Sequence, residues 1–95
     1  MRHIESHHIS RQGECVLSLG PAPRFLSASA AGGVLSVFVE DDFNPRPREP
    51  WTVVAVTGNG DTVPDRSIFV GSTTAGNAWW HVYAYRGAPR KEISA

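Results

Sequence analysis

Ninety-five residues make one domain, and a globule of that size buries roughly 60–65% of the surface its unfolded chain exposes, leaving a thin core and little room for an internal active-site cavity. Nine basic and nine acidic residues cancel, so the basic excess that supports many phosphate contacts is missing and non-specific nucleic-acid binding loses ground. Cys15 is the sole cysteine, which excludes an intrachain disulfide and any zinc site built on several thiolates.

A single thiol fits a reducing cytoplasm. The opening residues carry no charged-then-apolar leader, and no apolar run reaches the ~20 residues that span a bilayer. The expectation is a chain neither secreted nor membrane-inserted. Eight of the nine basic residues are arginine, a bias that, with frequent Ala and Gly, points to a high-GC genome. Arginine also makes planar, bidentate contacts that suit interfaces.

In chain order, short β-branched and aromatic runs alternate with turn residues. His3–Ile9 and Glu14–Leu19 are the first two strands, parted by Arg11, Gln12 and Gly13. Gly20-Pro21-Ala22-Pro23 stops the second, because proline has no ladder donor and a fixed φ. Phe25–Ala30 and Val34–Glu40 flank Ala31-Gly32-Gly33, a hairpin signal. Asp41–Pro50, with three prolines and five charges in ten residues, reads as a solvent-exposed connection. Trp51–Thr57 resumes a strand with Val53, Val54 and Val56 as core candidates. Gly58–Pro64 is a turn cluster, Ser67–Ser72 the next strand, and Ala78–Tyr85 the last and most aromatic.

No segment keeps a 3.6-residue apolar period over three turns. The expected fold is all-β and mostly antiparallel, with about seven short strands in a small sandwich or barrel. One domain spans residues 1–86, followed by a polar tail over 87–95.

Several of these pieces carry a resemblance. They are Cys15-Val16-Leu17-Ser18-Leu19, Phe25-Leu26-Ser27, and Leu35 to Asp41 as a strand ending in acidic residues. The most specific are the Gly58-Asn59-Gly60-Asp61-Thr62-Val63-Pro64 turn, Val70-Gly71-Ser72, and Trp80-His81-Val82-Tyr83. From about Ile4 to Tyr85 the chain resembles a family of short bacteriophage proteins grouped as a domain of unknown function, DUF7352. It departs from that pattern at Asp61, where the family commonly has His, and at Phe38, where a Trp is frequent. The resemblance implies a gene from a phage of a high-GC actinobacterium, and it implies no activity, cofactor or catalytic residue.

The chemistry-bearing residues form no catalytic constellation in the sequence. Gly58-Asn59-Gly60 lacks the Gly-Lys-Ser/Thr ending and the helix of a phosphate loop, and reads as a turn that needs positive φ. Asp61 and Asp65 are too few for a calcium loop. Alternation sets His3 and His7 on one strand face and His8 on the other. Pairing of the first and last strands would bring His81 to one of them for a zinc or proton-transfer site, while His81 between Trp80 and Val82 also reads as a packed sheet residue. Ser36, Ser72 and Cys15 lie on no nucleophile elbow. Adjacent Glu40 and Asp41 point to opposite faces and make no glycosidase pair. No cofactor or metal is expected.

Alternation also places Trp79, His81, Tyr83 and Tyr85 on one face of the last strand, with Trp80, Val82 and Ala84 opposite. Either both faces are buried or one aromatic row is exposed as a binding surface. The functional expectation is a non-enzymatic phage accessory protein that binds a host protein in the host cytoplasm. Its candidate contacts are Arg46, Arg48, Trp79 and Tyr83. The alternatives are a nucleic-acid-binding β-domain and a minor virion component, and edge strands offer a route to homo-oligomers.

Overall fold

The β-branched and aromatic runs become seven strands in the computed structural model, which describes residues 2–9, 14–20, 22–42, 48–58 and 61–87. They are β1 (Arg2–Ile9), β2 (Glu14–Leu19), β3 (Arg24–Ala31), β4 (Val34–Asp42), β5 (Glu49–Val56), β6 (Ile68–Ala75) and β7 (Ala78–Arg86). Every pairing is antiparallel. A three-stranded sheet runs β1-β4-β3 and a four-stranded sheet runs β2-β5-β7-β6. The fold is a small all-β sandwich, with no helix among the described residues.

Alternation decides what lies between the sheets. From the three-stranded sheet come Leu35, Val37 and Val39 of β4 and Ile9 of β1; from the four-stranded sheet come Leu17, Leu19, Trp51, Val53, Ala55, Val82 and Ala84. Each large member contributes about 1.5–3 kcal/mol by leaving water. Phe25 of β3 tilts against Trp51 with ring centroids 5.3 Å apart.

Along one side the sandwich closes on itself. β3 is bulged between Phe25 and Ser27, and β6 between Phe69 and Gly71. These two edges approach so nearly that a Cβ on Gly71 would lie 3.3 Å from the backbone nitrogen of Ala28. Bulges bend and twist an edge away from flat pairing. The hairpin expected at Gly32-Gly33 is present, with φ of 58° and 80°, values that glycine reaches without a Cβ penalty.

A buried carboxylate joins the sheets at one end. Asp41 of β4 has no exposed surface. Both its oxygens accept the Gly20 N–H at 3.1 Å, and Oδ2 also accepts Arg48 Nη2–H at 2.9 Å. Arg48 Nε–H donates to the Ser18 carbonyl at 3.0 Å. Ser18 stands opposite Pro50, which has no N–H to offer it.

This corrects the reading of Asp41–Pro50 as one exposed connection. β4 runs on to Asp42 and β5 begins at Glu49, because a charge among prolines is stably buried once an arginine and a backbone N–H satisfy it. Residues 43–47, Arg46 among them, lie outside the described residues, as does the tail from 88 onward. The first and last strands do not pair: β1 belongs to one sheet and β7 to the other, so His81 meets none of the β1 histidines through a strand pairing.

Candidate partner-binding face

The outward residues of the four-stranded sheet line up in rungs fixed by register. Val16, Thr52 and Tyr85 form the first; Val54, Tyr83 and Phe69 the second; Val56, His81 and Ser72 the third; and Trp79 with Thr74 the last. Trp79 is 62% exposed, Phe69 56% and Val16 51%. Phe69 meets Tyr83 edge-on, ring centroids 5.4 Å apart. Val54, Val56, His81 and Tyr83 lie half-buried between them.

Charge is sparse here. Among the outward strand residues of this sheet, Glu14 is the sole formally charged side chain. Several of this face's polar groups are paired. Thr52 Oγ1–H donates to the Gly87 carbonyl at 2.7 Å, and Ser72 Oγ and His81 Nδ1 share a hydrogen bond of 2.7 Å. Gly58, at a φ of 92°, passes near the His81 ring. Asp61 fastens that turn by accepting the N–H and the hydroxyl of Thr57 at 3.0 and 3.1 Å. Asp61 thereby pins the backbone at Thr57.

At the far end of the sheet Tyr85 is buried. A cavity of about 670 Å³ lies there, lined by Tyr85, Trp51, Val63, Pro64, Arg66 and Arg86 among others. Arg86 spreads its guanidinium over the Trp51 ring, 5.0 Å from the centroid, and pairs with Glu49.

The candidate contacts named from sequence separate in space. Trp79 and Tyr83 share the apolar face, as alternation predicted, with Trp80, Val82 and Ala84 turned inward. Arg48 stands beside Ser18 and Asp41, at the end of β5 opposite to the Val56 rung, and is held there by two hydrogen bonds, one to the Ser18 carbonyl and one, charge-assisted, to Asp41 Oδ2. Arg46 lies outside the described residues.

Sequence reasoning missed Val16 and Phe69 on this face, passed over Ser72, and took Val54 and Val56 for core residues, whereas only Val53 of the three is in the core and the other two face outward, half-buried. A signal existed for β5: Trp51-Thr52-Val53-Val54-Ala55-Val56 is apolar without alternation, the pattern of a strand covered on both faces. The β6 bulge at Val70 masks the alternation that would have set Phe69 outward, and nothing local marks Ser72.

Elsewhere, His3, Glu5 and His7 face inward along β1 and His8 faces out, in keeping with alternation. His3 Nε2–H donates to Glu5 Oε1 at 2.6 Å and His7 Nε2–H to Oε2 at 3.1 Å. The bond from His3 holds the Glu5 carboxyl below its ordinary value, against a smaller upward push from burial. Burial raises the Cys15 thiol, whose side chain packs against the core. Among the described residues no group of three or more His, Cys, Asp or Glu is placed to hold a metal ion, and no helix is long and apolar enough to cross a membrane. Set against known protein families, curated proteins and solved structures, the chain matches none.

Proposed function

We propose that this chain is a non-enzymatic accessory protein that acts by binding another protein through the outer face of its four-stranded sheet. One observation carries the reading. Trp79, Phe69 and Val16 are each more than half exposed on a face whose described strand residues include a single formal charge. Water penalises such a surface by about 25 cal/mol for every Å² of apolar area. Patches of this kind mark interaction sites, and depletion of charge with enrichment of Trp, Tyr and Phe is the composition of an interface core.

The rest of the proposal comes from the sequence. The motifs at Gly58–Pro64, Val70–Ser72 and Trp80–Tyr83 resemble short bacteriophage proteins, so the partner is a host protein, met in the host cytoplasm. The action is occlusion of that protein's surface. Nucleic-acid binding is the weaker reading. Stacking platforms need cations beside the aromatics to track the backbone, whereas among the described residues Arg2 and Arg24 project from the other sheet, Arg48 and Arg86 are ion-paired, and Arg66 lies by the cavity at the Tyr85 end, away from Trp79.

The test is capture from nuclease-treated host lysate at two salt concentrations, with wild type, Trp79→Ala, Tyr83→Ala and Phe69→Ala in parallel. The proposal expects a host protein retained at the higher salt, and at least one substitution weakening it by ~2 kcal/mol, about thirtyfold in affinity. Equal affinity in all three variants would remove this face from the mechanism. Salt-labile nucleic acid alone would transfer the reading to the alternative, and presence of the chain in purified particles would favour a virion component.

A further inference from the structure

The four edge strands of this sandwich are not alike. β3 and β6 are bulged and lie against each other. β2 has six residues, and its Ser18 carbonyl is taken by Arg48. β1 has eight residues, contains neither Gly nor Pro, and pairs with β4 one-to-one from Arg2 through Ile9 without a register shift. Among the described residues no strand pairs with its other side. A long, unbulged edge presents a row of backbone donors and acceptors to another strand.

We infer that β1 pairs antiparallel with β1 of a second copy of this chain, about a two-fold axis through Ser6. Symmetry and charge select that register. A two-fold perpendicular to the sheet keeps both inner faces on one side, so odd-numbered residues oppose odd-numbered ones and the axis passes through a residue. Centred on Glu5, it sets Glu5 against Glu5 and His3 against His7 of the second copy. Centred on His7, it sets His7 against His7 and shortens the overlap. Centred on Ser6, it sets Glu5 against His7 of the second copy twice over, His3 against Ile9, and Ile4 against His8, with seven residues of each strand engaged. Opposite charges or hydrogen-bonding partners directly across a ladder stabilise it, and like charges destabilise it.

The side chains already stand in position. Glu5 holds His3 and His7 of its own strand through their Nε2 atoms, and a carboxylate offers about four acceptor sites, so it can accept a further bond from across the dyad, from Nδ1–H of the second copy's His7 in its doubly protonated form. Ile4, 62% exposed on the outward side, gains cover from His8 of the second copy. The three-stranded sheets of two molecules become one six-stranded sheet. This inference uses a different surface from the proposed partner face, and either one stands if the other falls.

The test uses the full chain in a Cys15→Ser background. Ser6→Cys brings two thiols directly opposite, with Cα atoms about 4.5–5.5 Å apart, inside disulfide range. Ile4→Cys leaves its counterpart four residues along the strand, roughly 13 Å away and out of reach. The inference expects an oxidised covalent dimer from Ser6→Cys and none from Ile4→Cys, with a dimer in light scattering that dissociates on dilution. Glu5→Lys raises the dimer dissociation constant about tenfold, through two attractive pairs turned repulsive. The exchange Glu5→His with His7→Glu restores it. Strand content by circular dichroism separates lost pairing from lost folding. A wild-type chain monomeric up to millimolar concentration, with no crosslink at position 6, would overturn the inference. Crosslinking at position 4 as readily as at 6 would overturn the register.

Discussion

The two sheets share one apolar core and present unlike outer faces. Outward from the three-stranded sheet charged and polar groups are interspersed with apolar ones: Arg2, Ile4, Ser6 and His8 on β1, Val34, Ser36, Phe38, Glu40 and Asp42 on β4, and Arg24, Ser27 and Ser29 on β3. Arg2 spans this surface, donating to Glu40 Oε2 at 2.8 Å and to the carbonyls of Ala22 and Glu40 at 2.8 and 3.1 Å. Outward from the four-stranded sheet stand valines and aromatics with almost no charge. An antiparallel sheet that faces water on one side alternates polar with apolar. β4 largely does so, β1 turns His3, Glu5 and His7 inward, and β5 and β7 are largely apolar on both sides. That difference in charge is what the proposed binding role of the four-stranded face rests on.

The largest expected effect breaks the junction on which both faces depend. Asp41→Ala strands the Gly20 N–H and the Arg48 guanidinium, and lowers unfolding free energy by about 3 kcal/mol in urea titration. A loss under 1 kcal/mol would show that the two sheets hold together without this carboxylate. The next prediction contrasts the faces directly. Trp79→Ser and Phe69→Ser change stability by less than ~1 kcal/mol while weakening partner binding and the fluorescence of a bound apolar dye. Arg2→Ala on the other sheet costs under ~1 kcal/mol, as an exposed ion pair does, and leaves both readouts unchanged. Dye binding that responds equally to Arg2→Ala would erase the contrast.

The smallest effect is a pH dependence at β1. The Glu5 carboxyl is lowered from its ordinary 4.5, first by the hydrogen bond from His3. A lowered carboxyl contributes stability that is complete above the unfolded value and lost as pH falls through the folded one. The stability gap between wild type and Glu5→Gln therefore shrinks as pH falls below the 4.5 of an ordinary carboxyl. A gap that widens on acidification would contradict the arrangement of His3, Glu5 and His7.

All seven strands were legible in the sequence because β-branched runs and Gly or Pro turns are local signals. Sheet membership was not, since pairing is a long-range choice that local pattern does not encode. Asp41 shows the limit most clearly. Beside Asp42 and three prolines it reads as solvent-facing, and its burial depends on Gly20 and Arg48, which only the tertiary fold brings to it. The candidate site was half legible. Period-two alternation set Trp79 and Tyr83 on one face, but their neighbours Val16 and Phe69 come from other strands. Arg48, named for its charge, turned out to be anchored at the sheet junction.

The most direct test of the account places a photo-crosslinking amino acid at position 79 or 69 on one face and at position 38 on the other, in chains expressed in host cells. The account predicts a common crosslinked protein from 79 and 69, and none from 38. Crosslinks to that protein from position 38 alone would put the binding face on the three-stranded sheet and contradict the central claim.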